Sequence, residues 1–278
     1  MLNILKSGFF TTVQDVGRFG CRNKGVPVSG AMDEIAVKEL NKLLGNKATD
    51  ALLEITLTGP KLEFLSATTI VLGGANFGAK LNGIPIENYH CYSITKGDVL
   101  DYGRVKSGVR GYLAIKGGIL SNQVLGSRSC YFPLTPNQCL KNGDTLEYGT
   151  LAKFINQQSD FNSSYLIENE LVVFKGPEYS MLTDRQLGQL FGRDFTVAKE
   201  NNRMAYQLEE KITSHKTSML TSATLPGTVQ LTPAGKLIIL MKDGQTTGGY
   251  PRILQLSDRA ISILAQKKAG DKLSFKMI

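Results

Sequence analysis

The stretch Gly97-Asp98-Val99-Leu100-Asp101-Tyr102-Gly103 decides the fold class. Gly-Asp marks a turn, and the alternation that follows it is a strand signal. The same pattern returns as Gly143-Asp144-Thr145-Leu146-Glu147-Tyr148-Gly149 and, near the end of the chain, as Gly270-Asp271-Lys272-Leu273-Ser274-Phe275. A second likeness supports the first. Residues 59–86 and 227–253 both read as strand, turn, apolar strand (69–72 and 237–240) and Gly-containing polar loop, ending near Pro-Ile or Pro-Arg-Ile. Repetition of this kind predicts two related β-rich halves.

Working outward, residues 2–5, 51–58, 61–65, 68–72, 92–94, 110–116, 171–174 and 195–198 carry strand patterns, and 112–115 reads as buried on both faces. Asn82-Gly83 between 79–81 and 84–86 predicts a hairpin with a type I′ turn. The strongest helix pattern covers residues 32–44. Ser29 or Gly30 is positioned to cap it, Asp33 and Glu34 suit its positive end, and Ala36, Leu40, Leu43 and Leu44 share one face. Glu34 and Lys38 form an i,i+4 pair, and Gly45-Asn46 ends the helix. Thr183-Asp184-Arg185-Gln186 is a capping box opening a short helix with Leu187, Leu190 and Phe191 inward. Ser257-Asp258 opens a last helix with Ile261, Leu264 and Ala265 inward and Lys267-Lys268 at its cation-favouring end. The polar run 156–164 (NQQSDFNSS) reads as a linker, giving an N-terminal β-barrel domain with one helix over 1–160 and a C-terminal domain over 161–278.

Composition sets bounds on function. With 278 residues, 42% apolar and 20% charged, the chain can bury a sizeable core. The formal charge of +8 is spread, with no run longer than Lys267-Lys268. A solvated basic surface, or a preference for anionic small molecules or an acidic partner, follows more readily than nucleic-acid binding. Cys21, Cys91, Cys130 and Cys139 show neither CxxC pairing nor a ligand spacing with His90 or His215, which favours reduced thiols and structural histidines. Residues 1–10 lack the uninterrupted apolar core of a signal peptide, and the longest apolar run, 237–241, is far too short to span a bilayer. A cytoplasmic location is the expectation.

Two polar, Gly-bearing stretches are the candidate site. The first covers 11–18 (TTVQDVGR) and continues through 25–33 (GVPVSGAMD); the second is 243–251 (DGQTTGGYP). Their polar groups cannot be buried without partners, so they read as shaped loops that deliver side chains. Asp15 and Arg18 are either a local ion pair or a working pair, Arg18 forking onto a substrate carboxylate while Asp15 orients it or handles protons. Gln14, Ser29 and Gln245 can add neutral hydrogen bonds. Thr246 and Thr247 beside Gly248-Gly249 are either a plain turn or a source of hydroxyl and N–H donors for an oxyanion or phosphate. Gly73-Gly74-Ala75-Asn76-Phe77-Gly78 lacks the Lys-Ser/Thr of a P-loop, so a nucleotide site there is unsupported.

These stretches, with LEITLTGP at 53–60, RGYLAIKGG at 110–118 and QTTGGYP at 245–251, resemble the family of 5-oxoprolinase C subunits, also called KipI antagonist, allophanate hydrolase subunit 2 or biotin-dependent carboxyltransferase family. The resemblance runs the length of the chain. It implies a mainly β fold of two cyclophilin-like β-barrel domains with a few short helices. It implies partners as well: a KipI-like B subunit plus an A subunit, with which the complex opens 5-oxoproline to glutamate using ATP with Mg2+. In similar carboxyltransferases the region serves a biotinylated carrier on urea or another amide, so biotin enters only under that alternative. A further alternative is a non-catalytic antagonist of a KipI-like partner. This sequence shows no biotin-carboxylase region or biotinyl-lysine carrier, which favours the oxoprolinase expectation.

Carried over by motif, Asp15, Gln245, Thr246 and Thr247 are implied as catalytic, and Gln14, Arg18, Ser29, Asp33, Arg203, Gln230, Asp243 and Tyr250 as substrate-binding. No metal site is implied. The sequence departs from the family pattern at Ala205, where Gly is usual, at Leu231-Thr232-Pro233, and at Gly244, where an Arg is usual.

Overall fold

The structure, a computed structural model, describes residues 1–149 and 159–278. Part of the expected linker, 156–158, lies outside the described residues. The chain divides into two compact units. The first comprises Met1–Arg18 and Ser29–Leu166; the second comprises Phe19–Val28 and Ile167–Ile278. The mainly β architecture holds, with three α-helices among the described residues: α1 (Glu34–Leu43), α2 (Asp184–Phe191) and α3 (Asp258–Ala265).

In the first unit a six-stranded and a five-stranded sheet enclose one core. Alternation explains the packing. In Ser107–Ile115, Leu113 and Ile115 turn toward the six-stranded sheet with Leu53, Ile55, Ile70 and Leu72. Tyr112 and Ala114 turn the other way, with Leu52 and Val71, against α1. That strand is therefore buried on both faces, as its weak alternation predicts. The hairpin also forms as expected: Leu81 pairs with Ile84, and Asn82 and Gly83 take φ of 51° and 83°, the left-handed values a type I′ turn requires.

Two expectations are corrected here. Helix α1 starts at Glu34, and Asp33, not Ser29 or Gly30, caps it by accepting the Ala36 N–H at 3.1 Å. Ser29 and Gly30 are left-handed (φ 56° and 83°) and turn the chain before the helix begins. The strand expected over 68–72 runs on to Asn76, absorbing Gly73 and Gly74. Those glycines answer to packing. A Cβ on Gly73 would stand 2.7 Å from Leu40 of α1, and one on Gly74 2.5 Å from the Arg110 carbonyl. The Glu34–Lys38 pair is present at 2.9 Å, though exposure limits it to a few tenths of a kcal/mol.

The second unit is a closed barrel of seven strands in the order 170–175, 252–256, 228–231, 237–240, 205–208, 195–201 and 272–277. Closure comes from parallel pairing of Glu170–Lys175 with Lys272–Met277 and removes exposed edges. Leu171, Val173, Val197, Val229, Ile239 and Leu273 fill its interior. Thr183 and Gln186 make the expected capping box of α2, and Ser257 caps α3. Lys267 departs from its expected role: it is buried, and its Nζ donates to Asn169 Oδ1 at 2.8 Å. The 59–86 and 227–253 likeness is one of order alone. Lys61–Phe64 and Thr68–Asn76 lie in different sheets, whereas Thr228–Leu231 and Leu237–Leu240 pair directly.

The Gly-Asp repeat proves to be one device built three times. Asp98, Asp144 and Asp271 each donate their N–H to the carbonyl three residues back, at Thr95, Lys141 and Lys268 (3.2, 3.2 and 3.1 Å). Each Asp Oδ2 accepts that same residue's N–H (2.7, 2.7 and 2.9 Å). The intervening Gly97, Gly143 and Gly270 have φ of 93°, 86° and 88°. Each Gly N–H then reaches Phe64, Ile4 or Val197, whose N–H returns to the Asp carbonyl at 2.9 Å. Gly supplies the left-handed turn, Asp satisfies the donor that the turn exposes, and an antiparallel strand follows.

Candidate functional site

In the first unit the polar residues of the opening motif are turned inward. Asp15, 5% exposed, accepts the Gly17 N–H (2.8 Å), the Ser127 and Ser129 hydroxyls (2.6 Å each) and the Arg128 N–H (2.6 Å). Arg18 is 0% exposed; its Nε donates to the Val124 carbonyl at 3.1 Å and its Nη2 to the Ser129 carbonyl. Both side chains thus tie 15–18 to the run 124–129. Gln14 Nε2 donates to Thr12 Oγ1 (3.0 Å) and the Cys130 carbonyl (3.3 Å). Ser29 is fully buried in a left-handed conformation, and its Oγ has no hydrogen-bond partner. A non-glycine residue held left-handed carries backbone strain, which the surrounding turn sustains.

Asp33 belongs to a buried network in the same unit. Beyond capping α1, it accepts the Tyr165 hydroxyl at 2.7 Å, while its own N–H donates to Tyr112 Oη. Tyr112 in turn donates to Glu54 Oε2 at 2.9 Å, which also accepts the Met32 N–H. Arg110 stands 3.8 Å from Glu54 Oε1. Burial, reinforced by the Asp33 charge, raises the Tyr165 hydroxyl far above its ordinary range. Burial and the Glu54 charge do the same at Tyr112, and Tyr89 is pushed up to about 12, mainly by burial. All three phenols stay protonated; Tyr112 and Tyr165 serve as donors to Glu54 and Asp33, and Tyr89 accepts the Gly74 N–H at 2.9 Å.

In the second unit the 243–251 loop is built differently. Arg203 forks onto Asp243 (Nε–Oδ2 2.8 Å, Nη2–Oδ1 3.1 Å), fixing the loop's start. Buried Gln230 supports its end, donating to the Tyr250 carbonyl at 3.4 Å. Thr224 holds the middle: its Oγ1 donates to the Gln245 carbonyl (2.5 Å) and its N–H to the Thr246 carbonyl (3.0 Å). Thr247 and Gly248 pair with Ala223 and Ser222. With the backbone held from beneath, Gln245 and Thr247 are exposed, Thr246 is half-buried and Tyr250 is 41% exposed.

Phe19–Val28, the middle of the opening motif, belongs to this second unit, and Arg22 Nη2 donates to the Thr224 carbonyl. Part of the first stretch thereby braces the second. Sequence reasoning passed over Arg22 and Thr224, and also Ser127, Arg128 and Ser129. The only sign of the last three was that 126–129 (GSRS) shares the small, polar character of the opening motif. The histidines have structural partners: His90 Nδ1 lies 3.0 Å from the Asn88 carbonyl, and His215 bridges the Leu231 carbonyl and the Thr217 N–H. Among the described residues Cys21, Cys91, Cys130 and Cys139 form no disulfide. Among the described residues no cluster of three or more His, Cys, Asp or Glu could hold a metal, and no helix is long and apolar enough to cross a membrane.

The carboxyltransferase domain, subdomain A and B, family matches residues 24–277. The chain belongs to this family. It is 35% identical over 282 residues to the 5-oxoprolinase C subunit of Escherichia coli K12, an alignment covering 99% of this chain and 90% of that protein. The Haemophilus influenzae protein of the same name is 31% identical over 284 residues, covering 100% and 91%. Among solved structures, TTHA0988 matches 99% of this chain with a TM-score of 0.90 at 27% identity. There the chain spans about half of the neighbour, 55% of its length. The Kluyveromyces lactis urea amidolyase matches with a TM-score of 0.89 at 29% identity, over 18% of its own length. Family membership thus places a carboxyltransferase-type, two-unit β protein beside relatives named for amide chemistry.

Proposed function

We propose that this chain is the C subunit of a cytoplasmic, ATP-dependent 5-oxoprolinase, working with a KipI-like B subunit plus an A subunit. The near end-to-end match, in both directions, to proteins named as 5-oxoprolinase C subunits carries the reading. In the reaction, ATP phosphorylates the lactam oxygen and leaves as ADP, one water adds to the activated carbon and the C–N bond breaks to give an acyl phosphate, and a second water releases phosphate and glutamate. An amide carbonyl is a poor electrophile until it is activated, so the nucleotide is needed.

The glycines at 73, 74 and 78 do not fit a phosphate cradle, because the first two lie within a packed strand. Residues 73–78 therefore hold no nucleotide, and ATP with Mg2+ is assigned to the assembly. Gln245, Thr246 and Thr247 contribute hydrogen bonds to the lactam, with Gln230, Tyr250 and the Arg203–Asp243 pair holding their loop. Gln14, Asp15, Arg18, Ser29 and Asp33 shape the opening motif.

The test is co-purification with the B and A subunits, followed by assays of ATP hydrolysis and glutamate formation. Coupled turnover that requires 5-oxoproline and disappears without this chain supports the proposal. A stable complex without 5-oxoproline-dependent turnover defeats it. The likeness to urea amidolyase then makes carboxyl transfer from carboxybiotin to urea the next reading to assay. Complex formation without either activity would point to the antagonist role.

A further inference from the structure

We propose that Arg22 is the residue that binds the substrate's carboxylate, at the base of the Gln245–Thr247 loop. The inference rests on the 5-oxoprolinase reading for the identity of the substrate, and on this chain for the site. The opening motif offers two arginines, and their surroundings differ. Arg18 is wholly enclosed and donates to two backbone carbonyls at Val124 and Ser129. Arg22 is half-buried and lies in the second unit, where the exposed Gln245 and Thr247 also lie.

The Arg22 guanidinium is only half used. Its Nη2 donates to the Thr224 carbonyl, while its Nη1 is shielded from water and has no hydrogen-bond partner. A buried cationic donor without a partner is costly, and a planar fork with one free N–H edge is matched by a carboxylate. Thr224 connects that fork to the loop through its bonds to the Gln245 and Thr246 carbonyls. Nη1 is covered in the unliganded chain, so a carboxylate reaches it only when the covering groups shift, and there it would lie beside the loop proposed to contact the lactam. The Ser222–Ala223 strand beneath the loop has its own brace, since Arg252 Nη1 donates to the Ala223 carbonyl at 2.5 Å while the same guanidinium grips Glu178.

Arg22→Gln and Arg22→Lys, in the assembled complex, test the assignment against 5-oxoproline and its uncharged carboxamide. Loss of a charged hydrogen bond should raise the KM for 5-oxoproline by about tenfold to a hundredfold in Arg22→Gln. The KM for the carboxamide should move less than about twofold, and Arg22→Lys should fall between, since it keeps the charge but not the fork. Equal loss on both substrates would make Arg22 a brace for the loop and overturn the proposal, as would no loss on either. A second readout needs no turnover. Phenylglyoxal labelling of Arg22 in the unmodified chain, followed by peptide mass, should slow when 5-oxoproline is added but not when 2-pyrrolidinone is added. Unchanged labelling overturns the site even if the complex opens 5-oxoproline. Protection without turnover supports the carboxylate site and defeats the oxoprolinase reading alone.

Discussion

Two loops of similar composition, 11–18 with its continuation to 33 and 243–251, have opposite designs. Both are rich in glycine, hydroxyls and amides, and on sequence alone both look ready to receive a ligand. In the first, Gln14, Asp15, Arg18, Ser29 and Asp33 are all buried. In the second, Gln245, Thr247 and Tyr250 are exposed above a supporting layer of Gln230, Thr224 and the Arg203–Asp243 pair. Polar motifs arise under two pressures: to satisfy a tightly folded backbone, and to present groups to a ligand. Burial and the identity of the partners separate them. Where the partners are backbone N–H groups, carbonyls and neighbouring hydroxyls, the side chain satisfies the folded backbone.

Asp15 tests that distinction most sharply. Its carboxylate satisfies donors from Gly17, Ser127, Arg128 and Ser129. Asp15→Ala leaves them unpaired, and each buried donor so left costs about 1–3 kcal/mol, so we expect a loss of about 4 kcal/mol after partial relaxation. Urea unfolding of the purified chain measures it. Asp15→Asn keeps the volume and one acceptor oxygen and should cost less. A stability change under about 1 kcal/mol for Asp15→Ala would favour a working role for Asp15 over a structural one.

What the sequence could reveal divides along the same line. Local devices were legible: the capping box at Thr183–Gln186, the Asn82-Gly83 turn, the inward face of α1 and the three Gly-Asp turns each act within a few residues. Their physics is contained in the window that shows the pattern. The fates of the polar motif groups were not legible, because their partners are remote in sequence. Ser127 lies 112 residues from Asp15, Tyr165 lies 132 from Asp33, and Thr224 lies 202 from Arg22. Asp33 looked like a first-turn acid and proved to be the cap, since only the left-handed turn at Ser29–Gly30 fixes where the helix can start. Lys267 followed the helix-end rule in sequence, yet the barrel buries it against Asn169.

A smaller effect separates the support of the second loop from its exposed surface. Gly248 and Gly249 are adjacent but differ in surroundings. A Cβ on Gly248 would stand 2.4 Å from Gln230 Nε2 and 2.9 Å from Gln245 Nε2, whereas nothing lies within 4 Å of one on Gly249. Gln230 is buried and bonded to the Tyr250 carbonyl, so it cannot simply swing aside. Gly248→Ala should therefore cost about 1–2 kcal/mol, as overpacking does. Gly249→Ala should stay within about 0.5 kcal/mol of the parent, as open surface positions do. Thermal unfolding of the two variants side by side gives the difference; equal losses would mean that the loop is not held from beneath by Gln230.

The smallest expected change in stability falls at Gln245, and there the comparison is most exposed to failure. Its backbone carbonyl is held by Thr224, a bond that survives any side-chain replacement, and its side chain is exposed. Gln245→Ala should leave unfolding within about 0.5 kcal/mol of the parent, because an exposed side chain contributes little to the folded state. If the loop meets the lactam, the same substitution should lower 5-oxoproline-dependent turnover of the assembled complex by about tenfold or more, the worth of a hydrogen bond made in the transition state. Asp15→Ala should show the reverse order, with stability lost first and activity following it. Were Gln245→Ala to leave turnover intact while Asp15→Asn abolished it in a folded protein, the two loops would exchange roles, and the buried motif would be the reacting one.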